Sequence, residues 1–258
     1  MDEKKKVESE KKRADRYEIF IDARIPRPKF VMSAAGLGCC PLGDIIAIKA
    51  KSKNGKTFLS TLFAAVILGA EMPFLQGLYP EDSQVLYFDT EQNKINSQML
   101  MNRIYTLCEW DFAANDRLHV FSLREMSPEE RIAYILDKTG KYKPTAIFID
   151  GLADLLHDFN DIAESNDLIG KLMKLSTTCK CAVFFILHTN KGKEDSAMKG
   201  HLGTMAWQKC SDVFNVEKQD NGFFSVIESD CRNKPIQSFE FKVSEDGIPF
   251  IPKSSKYK

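Results

Sequence analysis

The chain has 258 residues, 43% of them hydrophobic, and its 36 lysines and arginines balance 36 aspartates and glutamates. That apolar content supports one α/β domain of about 200 residues with extensions, and it excludes global disorder. A formal net charge of zero excludes attachment to nucleic acid or anionic membrane by bulk charge, while leaving room for a local basic channel.

Met1 to Arg16 is charged throughout, so it reads as a solvated tail and not as a leader or membrane anchor. Residues 1–24 are expected to be a flexible extension, 25–251 the folded domain and 252–258 a C-terminal tail. Arg24 to Asp44 has prolines near both ends and glycines towards its close, and reads as irregular chain leading into the domain. Short apolar runs then alternate with helical patterns, the signature of parallel βαβ units. Strands are predicted at Ile45–Lys49, Gln84–Asp89, Leu118–Leu123, Thr145–Asp150 and Cys181–His188. Helices are predicted from Lys56 to about Ala70, over Asn93–Glu109 and Pro128–Lys138, and from about Ser165 to Thr178. From Asp212 the pattern becomes β-rich, with a hairpin signal at Asp220-Asn221-Gly222 and further strands within Gln237–Ile251. The fold class is therefore α/β, a mostly parallel sheet with helices on both faces and a C-terminal antiparallel extension.

The apolar run Leu62–Leu68 is far too short to span a bilayer, so no membrane association is expected. Seven cysteines without a secretory leader are expected as reduced thiols in a cytoplasmic protein. Cys179 and Cys181 form a C-x-C pair with no second pair or histidine at finger spacing, which favours thiols buried beside a strand over zinc.

Ala50-Lys51-Ser52-Lys53-Asn54-Gly55-Lys56-Thr57 is one residue short of a phosphate loop, G-x-x-x-x-G-K-[ST], because alanine replaces the first glycine. Such loops work because successive backbone N–H groups and a helix N-terminus converge on the anion, the lysine bridges the outer phosphates and the following hydroxyl ligates Mg²⁺. The first glycine mainly permits a tight exit from the strand, and alanine is tolerated wherever φ is negative. A preceding strand, Gly55-Lys56-Thr57 at the end and a long apolar helix after favour nucleotide binding, by Ala50 to Thr57 with Phe58, over a lysine-rich surface turn.

Nucleotide hydrolysis needs an acid for the metal shell and a base or orienter for water. Asp150 ends the apolar run Ala-Ile-Phe-Ile-Asp, at the carboxyl edge where ligands of parallel sheets bind. Asp89 and Glu91 stand at another strand tip; Asp89 suits a helix cap, and Glu91 is placed to reach a water in line with the outermost phosphate. His188 closes a further buried strand, where it either faces the site or is satisfied by backbone.

In order, "AKSKNGKT", "VLYFDTEQ", "AIFIDGLADLL", "ILHTNK", "KGHLGTMAWQKCSDVFNVEK" and "DCRNKPIQSFEFKV" resemble RecA-like ATPases, most closely the RepA-type branch of plasmid and mobile-element replication helicases (the AAA-25 type of domain). The resemblance runs from about Ile25 to Ile251. It implies ATP with Mg²⁺, Glu91 as the water-activating glutamate, Thr57 and Asp150 at the metal and His188 as a γ-phosphate sensor. It also implies a homo-oligomeric ring, often hexameric. A neighbour's Arg232 would then act as a finger, although Asp230 stands where the family often has lysine; the alternative is a surface charge at a strand edge. Lys191 to Gly203 is charged and reads as a loop, in which Lys191, Lys193 and Lys199 would contact single-stranded DNA or simply be solvated. The implied function is an ATPase motor or helicase-like protein of plasmid or mobile-element replication. The rivals are an ATP-dependent switch or loader and, lower, a small-molecule kinase, which is disfavoured because Arg232 is the only arginine of the C-terminal part.

Overall fold

The computed structural model describes residues 17–79, 81–189, 198 and 200–253. Apolar runs with little polar interruption make strands covered on both faces. Five of them, β3 (Ile45–Ala50), β5 (Val85–Asp89), β6 (Leu118–Ser122), β7 (Ala146–Asp150) and β8 (Ala182–His188), lie within one residue of the predicted bounds. Together with β9 (Asp212–Lys218), β10 (Phe224–Cys231), β11 (Phe239–Val243) and β12 (Pro249–Phe250) they form one sheet, ordered β12-β11-β10-β9-β3-β8-β7-β5-β6. Strands β9 to β6 in that order are parallel, and β10, β11 and β12 extend the sheet antiparallel. This is a RecA-like P-loop fold.

The strand period of two divides the core. Ile46, Ile48, Val85 and Tyr87 face α1 (Lys56–Leu68) and α2 (Lys94–Leu107). Ile45, Ala47, Leu86 and Phe88 face α3 (Pro128–Tyr142), α4 (Ile162–Cys179) and α5 (Gly200–Lys209). Tyr87, Phe148 and Phe184 are direct cross-strand partners, with ring centroids 5.6 and 4.5 Å apart. Phe63 of α1 sets its ring edge-on to Phe184 and Phe214, at 6.3 and 5.1 Å.

The structure departs from the predicted elements most in three places. Arg24 to Asp44 is not all irregular: β1 (Phe30–Ala34) and β2 (Leu37–Pro41) form a hairpin, joined by β4 (Leu75–Gly77). The connecting residues Ala35 and Gly36 both have positive φ (49° and 80°), the geometry that two-residue hairpins favour. Pro26, Pro28 and Pro41 fall before or at the end of strands, where a missing N–H does not break a ladder. α3 runs past Lys138 to Tyr142, through Gly140, because Lys143 (φ 50°) takes the left-handed cap. Finally, the loop reading of Lys191 to Gly203 fails at its end, where Gly200 to Gly203 begins α5. Gly203 is there for closeness, since a Cβ would meet the Met198 backbone at 2.5 Å.

β4 reaches α1 through an equally tight contact. A Cβ on Gly77 would lie 2.3 Å from the carbonyl oxygen of Val66, a backbone atom that cannot rotate away. Gly77→Ala is therefore expected to destabilise the protein by about 1–3 kcal/mol, read as a lowered midpoint in urea unfolding. An unchanged midpoint would show that the small sheet is not held against α1 as described.

Candidate active site

Parallel pairing brings four strand ends to one edge in register: Ala50 opposite His188, and Asp89 opposite Asp150, which in turn faces Ile186. The loop leaves β3 at Ala50 with ordinary negative φ, so the leading glycine is not needed. The left-handed residues come later, Lys53 (φ 62°) and Gly55 (φ 85°). Backbone that alternates in this way turns successive N–H groups inward and forms an anion-binding concavity at the start of α1. Gly55 has no room for a side chain, because a Cβ would meet the Phe224 ring at 2.5 Å. Asn54 closes the turn by donating its N–H to the Lys51 carbonyl. Lys51, Ser52 and Lys53 are exposed, and Lys56 is buried.

The Lys56 ammonium donates to the carbonyls of Lys51 (3.1 Å) and Ala50 (3.5 Å) and to Nδ1 of His188 (3.1 Å). An ammonium only donates, so Nδ1 accepts and the ring proton sits on Nε2. That nitrogen lies 3.6 Å from Oε1 of Glu91. Burial lowers the Lys56 pKa against the raising effect of Asp150 and Glu91. The Glu91 carboxyl is held below its usual range chiefly by the neighbouring His188 ring, burial opposing, with the Lys56 charge helping. Sequence and structure agree in bringing Lys56, Glu91 and His188 together.

Asp150 is 4% exposed. Its Oδ2 accepts from the Thr57 hydroxyl at 3.0 Å and the Tyr87 hydroxyl at 3.1 Å, and Tyr87 also pairs with Ser60 at 2.7 Å. Burial first, then the Asp89 and Glu91 carboxylates, push the Asp150 carboxyl up to about 7 against those two hydrogen bonds. Asp89 itself is spent on the chain: it accepts from the N–H groups of Glu91 and Gln92 and from the Ser97 hydroxyl. Asn93 caps α2, so Asp89 fixes the turn that presents Glu91.

Thr90 and Tyr87 were not singled out by sequence. The Thr90 hydroxyl faces the carbonyls of Asp150 and Gly151 and the Asp154 carboxylate, tying the Glu91 turn to the segment after β7. Gly151 (φ 103°) is required there, because a Cβ would meet Thr90 Oγ1 at 2.3 Å and Asp154 Oδ2 at 2.6 Å. The available signal for Tyr87 was its phenol in a doubly covered strand, which must find a buried partner.

A cleft of about 690 Å³ opens beside these groups, lined on its polar side by Lys51, Ser52, Glu91 and His188 and on its apolar side by Ala153 and Phe159. The buried Thr189 hydroxyl at its wall has no hydrogen-bond partner among the described residues. Thr57 and Asp150 offer only hard oxygen donors, which suits Mg²⁺. The loop, the cationic Lys56 and the orphaned Thr189 hydroxyl suit a phosphate chain. Phe58 faces away from the acids, towards Phe224. Arg232 does not join this group within the chain. It follows β10 at the opposite edge of the sheet, donating to the Lys209 carbonyl at 2.8 Å with Asp44 at 3.9 Å. Lys191, Lys193 and Lys199 lie outside the described residues.

Asp150 carries a stability cost with a definite sign. Its folded-state pKa is raised, so the native chain keeps a proton that the unfolded chain has lost between about pH 4 and pH 7. Native stability therefore falls as pH climbs through that window, by an amount bounded at about 4 kcal/mol. Asp150→Asn should raise the melting temperature of the nucleotide-free protein at pH 8, with the gain shrinking towards pH 4. A gain independent of pH would show that this carboxyl is not the titrating group.

A family model described as an AAA domain, of the AAA-25 type, matches residues 8–194, well over half of the chain. No curated protein matches it. The matched stretch contains the phosphate loop, the Glu91 turn, Asp150 and His188. The chain belongs to the AAA domain family and is a P-loop ATPase of that type.

Proposed function

We propose that the protein binds Mg²⁺–ATP in the Ala50–Thr57 loop, hydrolyses it, and works as a ring-forming motor on DNA in replication or mobilisation of a plasmid or integrated element. The observation behind the reading is the convergence of Lys56, Glu91, Asp150 and His188 at one edge of a parallel sheet.

Lys56 pairs with outer phosphate oxygens, and the loop N–H groups hold the phosphate chain. Thr57 and Asp150 hold the metal, which when bound neutralises charge developing on the transferred phosphoryl group. Glu91, kept ionised by His188 and Lys56, orients the attacking water and accepts its proton. His188 touches both Lys56 and Glu91, so it reports phosphate occupancy to the residues that follow β8. Arg232, tethered at the far edge, reaches a catalytic site only in a neighbouring subunit, as a finger on transition-state charge. Lys191, Lys193 and Lys199 are assigned to the single-stranded DNA contact. The zero net charge favours one second reading, a switch or loader that binds ATP and recruits a partner without unwinding.

Lys56→Ala should abolish ATP turnover. Glu91→Gln should lower kcat by about 100-fold or more while ATP still binds within about threefold. Undiminished turnover in Lys56→Ala would remove the loop assignment. ATPase stimulation by single-stranded DNA, strand displacement and a multimeric solution mass with ATP are expected of the motor. ATP binding without displacement would select the loader.

A further inference from the structure

Phe58 follows Thr57 in the first turn of α1, about 100° further round the helix, and so leaves the face taken by Asp150 and Glu91. Its ring stands 6.4 Å from Phe224, the residue that closes over Gly55, and Phe224 stacks in turn on Phe241 at 4.9 Å. The Arg103 guanidinium lies over Phe58, 4.4 Å from the ring centroid. Arg103 is held there by its Nε, which donates to the Gly247 carbonyl at 2.8 Å in the turn between β11 and β12. Among the described residues its two terminal nitrogens have no hydrogen-bond partner. One turn and two turns back along α2, Met99 and Ile95 are 58% and 70% exposed. A half-buried guanidinium with unspent donors, held over the Phe58 ring one residue past a phosphate loop and flanked by apolar surface, offers a surface on which a planar base can stack.

We propose that Phe58 and Arg103 hold the nucleobase of the bound nucleotide by its face, so that the site takes adenine and guanine alike and prefers purines to pyrimidines. This rests on the nucleotide reading of the Ala50–Thr57 loop. Base-face stacking does not discriminate between purines, and Phe58, Phe224, Met99 and Ile95 carry no group that reads a base edge. A purine also covers more of such a platform than a pyrimidine, which sets the preference. The C-terminal antiparallel extension thus acquires a role: through Gly247 and Phe224 it fixes both halves of the platform.

The test is calorimetric titration of the full-length protein, with Mg²⁺, using ATP, GTP, UTP and inorganic tripolyphosphate. ATP and GTP are expected to bind within about threefold of each other, UTP more weakly, and tripolyphosphate about tenfold more weakly than ATP. Arg103→Met and Phe58→Leu, which keep apolar bulk, should bring ATP down to the tripolyphosphate affinity and leave tripolyphosphate itself unchanged. Equal losses for ATP and tripolyphosphate would make Arg103 a clasp between α2 and the β11–β12 turn, overturning the proposal. Unaltered ATP binding in both variants, or a wild-type preference for ATP over GTP beyond about thirtyfold, would overturn it as well. Wild-type protein that binds neither ATP nor tripolyphosphate would instead fell the loop reading on which it rests.

Discussion

Asp150 sets the terms for this molecule: a carboxylate at the end of a fully buried strand, with two hydroxyls as its hydrogen-bond donors. A buried charge without partners costs several kcal/mol, so Thr57 and Tyr87 must arrive in the right places. Thr57 comes from α1, across an intervening strand, because β8 separates β3 from β7. Tyr87 comes from the neighbouring strand β5. Its ring lies in the stack with Phe148 and Phe184, so the packing of the core fixes the height of its hydroxyl. A slip of one residue between β5 and β7 would turn Tyr87 to the other face and leave Asp150 with one donor. Core register and site geometry are thus one constraint.

Raised carboxyl pKa values alone would not have located the site. At the opposite edge of the sheet, burial and the neighbouring Asp212 raise Glu228 to about 7, and burial raises Asp212 as well. Yet these two acids are consumed locally. Asp212 accepts from the Cys40 N–H and the Ser211 hydroxyl, and Glu228 accepts from the Ile236 N–H at 2.7 Å. They pin the segment after β10 to the start of β9 and to β2, and the ~690 Å³ cleft lies at the other edge. What distinguishes Asp150 is its company: a second acid and a histidine that open on that cleft, and Lys56 bonded to the histidine.

The parallel centre and the P-loop edge were legible in sequence because each carries a signal that tertiary context does not override. Strands covered on both faces must be apolar throughout, and Gly55-Lys56-Thr57 between a strand and a helix has few other uses. The small sheet was hidden because its proline and glycine content is that of a loop; only the pairing of β1 with β2 and β4 shows that Gly36 is a hairpin turn. α5 was hidden because Gly200 and Gly203 serve close packing at the expense of helix propensity. Thr90, Asp154 and the Arg103–Phe58 stack depend on residues far apart in the chain meeting side by side, and no local pattern encodes that.

On the proposed reading, His188 turns such a meeting into a signal. Lys56 has three protons and three acceptors: the carbonyls of Ala50 and Lys51, and Nδ1 of His188. When Lys56 turns to a phosphate oxygen, it gives up at least one of them. Either carbonyl can spare it, because Ala50 also accepts from the Thr189 N–H at 3.1 Å and Lys51 from the Asn54 N–H at 3.3 Å. Nδ1 has no second donor among the described residues, so the ring is the group left short. A histidine deprived of a donor at Nδ1 must turn or find a new partner, and either alters what Nε2 offers Glu91. On the proposed reading, competition for one ammonium group couples the phosphate end of the site to Glu91, without any displacement of the backbone.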